Sequence, residues 1–193
     1  MIIGITGGTG SGKTTLLKLM AEAGVLVLDC DAIYHELLST DPSLLSAIES
    51  RFPGTVENGQ LLRKKLGNIV FSDENALSEL NKITHAAIHA EVLRRLESSP
   101  AHAAIDAVAL FESGMNKLCD VTVAVNAPVD VRLRRLMERD GISEEYARSR
   151  ICSQPTPDWY QQHCDYTLEN NGTQADFRSK CLAFLQELGI MDA

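Results

Sequence analysis

An α/β fold is predicted, a three-layer sandwich with a five-stranded parallel sheet between helices, and three observations predict it. Short apolar, β-rich runs recur along the chain. Stretches with apolar residues at every third or fourth position separate them. A glycine-rich turn joins the first run directly to the first such stretch. Strands that alternate with helices build parallel sheets covered on both faces. The 193 residues suit a single domain, with a helical insertion at about 51–98 and a helical lid at about 138–155.

The elements follow in order. Residues 2–6 (IIGIT) are the first strand, and 13–23 a helix with apolar Leu16, Leu17, Met20 and Ala23, closed by Gly24. Residues 25–28 are a second strand, bounded by Asp29. Residues 31–50 read as two short helices, the second started by Asp41 as cap and Pro42 as first helical residue. Residues 51–60 read as loop. From 77 to 96, Leu77, Leu80, Ile83, Ala87, Ala90, Leu93 and Leu96 mark one face of a long helix, ended by Ser98-Ser99-Pro100. Residues 103–111 form a third strand and 120–126 a fourth. Pro128 opens a helix to about Arg139, Asp140-Gly141 turns, and Ser143 caps the next helix. Residues 166–169 are the fifth strand, and Asn170-Asn171-Gly172 turns into a final helix.

Composition excludes several classes. A formal net charge of −8 argues against a nucleic-acid binder, which needs a basic surface to neutralise backbone phosphate. The five cysteines are odd in number and widely spaced, with no C-x-x-C, so neither a disulfide framework nor a zinc site is indicated. Free, mostly buried thiols are expected, in a reducing compartment. No apolar run approaches the roughly 20 residues that span a bilayer, and no leader pattern precedes the first strand. A cytoplasmic protein is expected, with no membrane partner. Oligomeric state leaves no trace in the sequence.

Residues 7–14, Gly-Gly-Thr-Gly-Ser-Gly-Lys-Thr, match G-x-x-x-x-G-K-[ST] without a mismatch, between a strand and a helix. Glycines let backbone N–H groups turn inward on phosphate oxygens, and the helix that follows presents unpaired N–H groups and its positive dipole end. Gly8, Gly10, Ser11, Gly12, Lys13, Thr14 and Thr15 are therefore the expected ATP-phosphate ligands. Lys13 reaches the outer phosphates and the Thr14 hydroxyl holds Mg²⁺. A GTPase is disfavoured. Asn116-Lys117 is followed by Asp120, one residue too late for N-K-x-D, and no D-x-x-G occurs. The size suits a small-molecule kinase.

Asp29 and Asp31 follow the second strand, where ligands gather in parallel sheets. One aspartate caps the next helix, and Asp31 is the expected base for an acceptor hydroxyl. Six of the 11 arginines lie within 132–150: Arg132, Arg134, Arg135, Arg139, Arg148 and Arg150. Interleaved acids make several of them a salt-bridged helix face. A phosphoryl-transfer enzyme also needs cations that close over the moving charge and exclude water, and Arg135, Arg139 and Arg150 are the candidates. Asp106, placed mid-strand, is a candidate Mg²⁺ partner through water, and equally a structural hydrogen-bonding residue.

These residues together resemble the dephospho-coenzyme A kinase family over nearly the whole chain. The pieces are the loop at 7–15, V-x-D-x-D at 27–31, R-x-x-L-x-x-x-V-F at 63–71, and His85 on the long helix. L-F-E-S-G at 110–114, R-L-x-x-R-D at 135–140, R-x-x-x-Q at 150–154 and D-Y-x-[IL]-x-N-N-G at 165–172 complete the set. The chain departs from the family pattern at His85-Ala86, where His-Pro is usual, and at Val108-Ala109, where Pro-Leu is usual. The resemblance implies transfer of phosphate from ATP to the ribose 3′-hydroxyl of dephospho-coenzyme A, the last step of coenzyme A synthesis. It implies Asp31 as base, and an insertion that binds the acceptor through Arg63 and His85. It places Asn171 and Gly172 near the adenine. Another small-metabolite or nucleoside kinase, and a nucleotide-gated binding module that transfers nothing, are the competing readings.

Overall fold

The structure, a computed structural model, describes residues 1–97 and 101–191. In chain order the elements are β1 (Ile2–Thr6), α1 (Lys13–Glu22), β2 (Leu26–Asp29), α2 (Cys30–Thr40), α3 (Pro42–Arg51), β3 (Val56–Glu57), β4 (Gln60–Leu61), α4 (Arg63–Val70) and α5 (Glu74–Glu97). There follow β5 (Ala103–Asp106), a 3-10 turn (Met115–Leu118), β6 (Val121–Asn126), α6 (Val129–Asp140), α7 (Glu144–Cys152), α8 (Pro157–His163), β7 (Tyr166–Glu169) and α9 (Gln174–Glu187). The chain divides into two compact units, Met1–Leu28 with Ser99–Ala193, and Asp29–Ser98. The expected insertion at 51–98 falls inside the second.

A five-stranded parallel sheet in the order β2-β5-β1-β6-β7 has β1 at its centre. Ile5 of β1 pairs with Asp106 of β5 on one side and Val123 of β6 on the other. Central parallel strands are covered on both faces, and Ile3 and Ile5 are accordingly fully buried. Leu16, Leu19 and Met20 of α1 and Phe177, Cys181, Phe184 and Leu185 of α9 pack one core with them. The α9 start is fixed by a capping box: the Thr173 hydroxyl accepts from Asp176 N–H, and the Asp176 carboxylate accepts from Thr173 N–H. A smaller apolar cluster, Leu133, Leu136, Ala147 and Ile151, joins α6 to α7.

In the second unit, α2 opens on Asp29, whose carboxylate accepts from Asp31 and Ala32 N–H, and α3 opens on Asp41, as its Asp-Pro start predicts. Three expectations need correction. Residues 56–61 are a small antiparallel hairpin rather than loop, because Asn58 and Gly59 both adopt positive φ (51° and 74°), the geometry of a tight two-residue turn. Glu49 of α3 anchors it, accepting from Val56 N–H at 2.7 Å. The third strand stops at Asp106, and 108–114 turn instead, so Asp106 ends the strand rather than lying mid-strand. The long helix α5 buries Ala76, Thr84 and Val92, while Ala90 and Leu93 are exposed, so its buried face is rotated from the predicted stripe. The predicted helix end at 98–100 lies outside the described residues.

Candidate functional site: a phosphate loop braced by one helix and two loops

The turn from β1 to α1 is the centre of the site. Gly7, Gly10 and Gly12 all have positive φ, and Gly12 at φ 103° is the residue before the first turn of α1. A Cβ at Gly12 would lie 2.3 Å from Asn170 Nδ2, so both backbone and space require glycine there. Lys13 Nζ lies back over the loop, donating to Gly7 O at 3.0 Å. Ser11 Oγ is buried with no hydrogen-bond partner among the described residues. Thr14 is exposed and Thr15 half-buried at the start of α1. Positive-φ glycines at a helix N-terminus, one lysine and an orphaned hydroxyl form a cradle that suits a triphosphate.

The loop is held from outside by four side chains. Asn170, after β7, is buried and donates from Nδ2 to Ser11 O at 2.7 Å. Arg135 of α6 donates from Nη1 to Gly10 O at 3.1 Å and Ser11 O at 3.2 Å, and from Nη2 to Asn170 Oδ1 at 3.4 Å. Arg135, expected to face substrate, is thus spent on the loop carbonyls in this structure. Arg132, one turn earlier, donates from Nε to Thr9 O at 2.9 Å and from Nη2 to Gln154 Oε1 at 2.8 Å. Gln154 Oε1 also accepts Thr9 N–H at 2.8 Å. Asn170 and Gln154 both lay inside quoted sequence patterns, but without a role. The expected pair, Asn171 and Gly172, is exposed, and Asn171 Oδ1 accepts from Lys180 Nζ at 3.2 Å. The contact with the phosphate loop is made by Asn170, the residue before them. Arg132 carried no signal beyond its place in the arginine run.

Asp106 ends β5, next to β1 in the sheet. Among the described residues no group of three or more His, Cys, Asp or Glu side chains could hold a metal ion. That donor count does not conflict with Mg²⁺, which is commonly held by one or two protein oxygens plus substrate phosphates. Arg139 and Arg150 are both paired with Asp140, at 2.6 Å from Arg139 Nε and 2.8 Å from Arg150 Nη1. Hydrogen bonding from Arg139 first, opposed by desolvation and reinforced by hydrogen bonding from Arg150, holds the Asp140 carboxyl down at about 2, so this triad stays charged. Arg148 pairs with Glu144 on α7. No disulfide joins the five cysteines, all of them among the described residues; Cys30 and Cys181 are buried, Cys119 and Cys164 half-buried, and Cys152 is exposed. Trp159 stacks on His163 with centroids 4.0 Å apart, beside Phe111.

In the second unit, Asp31 sits exposed in the first turn of α2. Asp29 caps the helix, and among the described residues no hydrogen bond or ion pair engages the Asp31 carboxylate. Arg63 begins α4, its Nη2 3.4 Å from His35 Nδ1. It borders a cleft of ≈ 210 Å³ lined also by Tyr34, Leu38, Leu66 and Phe71. Burial raises the Tyr34 hydroxyl above its ordinary value, with Arg63 partly opposing, so the phenol stays neutral. His85 is half-buried on α5 and does not line that cleft.

A parallel sheet with a glycine-rich phosphate loop leading into its first helix defines a P-loop fold, and its neighbours in structure are P-loop kinases. The model of the dephospho-CoA kinase family matches residues 1–176. The chain is 37% identical over 198 aligned residues to a dephospho-CoA kinase of Geobacillus kaustophilus, covering 100% of this chain and 98% of that one. A Thermus thermophilus crystal structure superposes with a TM-score of 0.82 at 33% identity, over 97% of both chains. Dephospho-CoA kinase from Campylobacter jejuni superposes at 0.69 with 28% identity, over 98% of both. The chain belongs to the dephospho-CoA kinase family. It is an enzyme that phosphorylates dephospho-CoA with ATP, in the last step of coenzyme A biosynthesis.

Proposed function

We propose that the transfer runs to the ribose 3′-hydroxyl by direct in-line displacement, with the triphosphate on residues 7–15. The cradle at Gly12, Lys13 and the orphaned Ser11 Oγ is the observation that carries this reading. Asp31 accepts the proton of the acceptor hydroxyl as the new P–O bond forms and the bond to ADP breaks. Lys13 balances charge on the outer phosphates. Arg139 and Arg150, oriented by Asp140, are the lid cations that meet the moving phosphoryl group. Thr14 and Asp106 would hold Mg²⁺, which supplies charge neutralisation between the phosphates. Arg63 and His85 serve the acceptor, with the cleft beside Arg63 for its apolar part, and Asn171 and Gly172 the adenine side.

The lid is residues 138–155, and the working location is the cytoplasm. Among the described residues no helix is long and apolar enough to cross a membrane. Incubation with ATP and dephospho-CoA, followed by phosphorus NMR of the product, tests the regiochemistry. A 3′-monophosphate is expected, and phosphate at the 2′ position would overturn the assignment.

A further inference from the structure

Arg132 is the one cationic side chain that the described residues bury almost completely, at 4% exposure, yet no carboxylate pairs with it. Its hydrogen bonds go to two neutral oxygens, Thr9 O and Gln154 Oε1. Tyr160 lies nearby, but burial first, then Glu112, pushes its hydroxyl up to about 12, so it stays neutral and offers no counter-charge. A buried cation without a counter-ion is costly, and a guanidinium does not escape by deprotonating. The loop is shaped around this group. A Cβ at Gly8 would lie 2.2 Å from Arg132 Nη2, and one at Gly10 would lie 3.0 Å from Arg132 O. Gln154 completes the arrangement, because one oxygen takes both Thr9 N–H and Arg132 Nη2.

We infer that Arg132 and Gln154 are positioning residues for the phosphate donor: they hold the Thr9 segment of the loop in its binding shape, and the triphosphate supplies the counter-charge that Arg132 lacks. Arg132 acts through the loop and through its field. Gln154 acts by joining the end of the lid segment to Thr9 while adding no charge of its own. This inference deepens the reading of residues 7–15 as the triphosphate site and rests on it.

The decisive variant is Gln154→Glu. It keeps an acceptor for both hydrogen bonds and gives Arg132 an ion-pair partner. The ligand-free protein should melt higher than wild type, while inorganic tripolyphosphate, measured by calorimetry, should bind about tenfold or more weakly, because the glutamate now occupies the charge that the phosphates used. Arg132→Met should raise the KM for ATP by about tenfold or more with the KM for dephospho-CoA within about twofold, and Arg132→Lys should recover part of the loss. Lys13→Met serves as the reference. If Lys13→Met weakens tripolyphosphate but Gln154→Glu binds it as wild type does, the inference fails and the site stands. If Gln154→Glu lowers both melting temperature and affinity, the pair is a structural brace only, and the inference fails. If Lys13→Met also leaves tripolyphosphate binding intact, the site itself is misplaced.

Discussion

At the scale of single residues, the chemistry asks for one free carboxylate and one tightly shaped turn. Asp29 spends its carboxylate on the first N–H groups of α2, and Asp31 is the proposed base for the acceptor. Asp31→Asn should therefore retain ATP binding and lower the transfer rate by about 100-fold or more, the usual scale for losing a general base. Single-turnover kinetics beside calorimetric ATP titration checks this, and an unchanged rate would remove Asp31 from the mechanism. Two glycines separate strain from contact. Gly24 has φ 81° with nothing within 4 Å of an added Cβ, whereas Gly12 has φ 103° with Asn170 in the way. Gly24→Ala should cost about 1 kcal/mol of stability and leave the KM for ATP unchanged. Gly12→Ala should cost more than that and abolish ATP binding. Denaturant unfolding paired with ATP titration distinguishes them. The loop's residue types were legible in the sequence because phosphate chemistry dictates them locally. The braces were not, because Asn170 and Arg132 meet the loop across 159 and 123 residues of chain.

At the scale of elements, local capping is what the sequence expressed best. Asp41-Pro42, Ser143 and the Gly24 stop all act as their residue types predict, since each is a contact within four residues. The Asn58-Gly59 hairpin carries the same kind of local signal yet reads as loop, because its strands have only two residues each and show no alternation. The β6–β7 edge depends on a distant carboxylate. Asp165 accepts from Thr122 N–H at 2.7 Å and Thr122 Oγ1 at 2.8 Å. The Thr122 hydroxyl first, then its backbone N–H, lowers the Asp165 carboxyl below its ordinary value. A lowered carboxylate contributes stability that is fully present above the unfolded value of about 4 and is lost as pH falls through the lower folded value. The stability difference between wild type and Asp165→Asn should thus be constant near neutrality and shrink below about pH 4, as read by urea unfolding at several pH values. Thr173→Ala, which breaks the capping box of α9, should cost about 1 kcal/mol, or a fall of about 2–4 °C in melting temperature.

At the scale of the whole molecule, the chain divides its labour between two compact units. The triphosphate cradle and its braces belong to the first, and Asp31 and the cleft beside Arg63 to the second. Hydrogen exchange should register this division. ATP alone should protect residues 7–15 and the Gln154 and Asn170 segments, and dephospho-CoA should extend protection to the Asp31 and Arg63 segments. Protection of the second unit by inorganic tripolyphosphate alone would contradict the division.

The sequence by itself determined the sheet class, the phosphate loop, most helix starts and the family of reaction. Each of these rests on residue type at short spacing, where backbone geometry and the needs of phosphate leave few choices. Only the tertiary structure decided which face α5 buries, that Asp106 ends its strand, and that Arg135 grips the loop carbonyls. It alone brought Arg132, Gln154 and Asn170 to Thr9 and Ser11. Such contacts join segments more than a hundred residues apart, and no periodicity or spacing along the chain encodes which side chains the packing of β1, β6, α6 and β7 will set side by side.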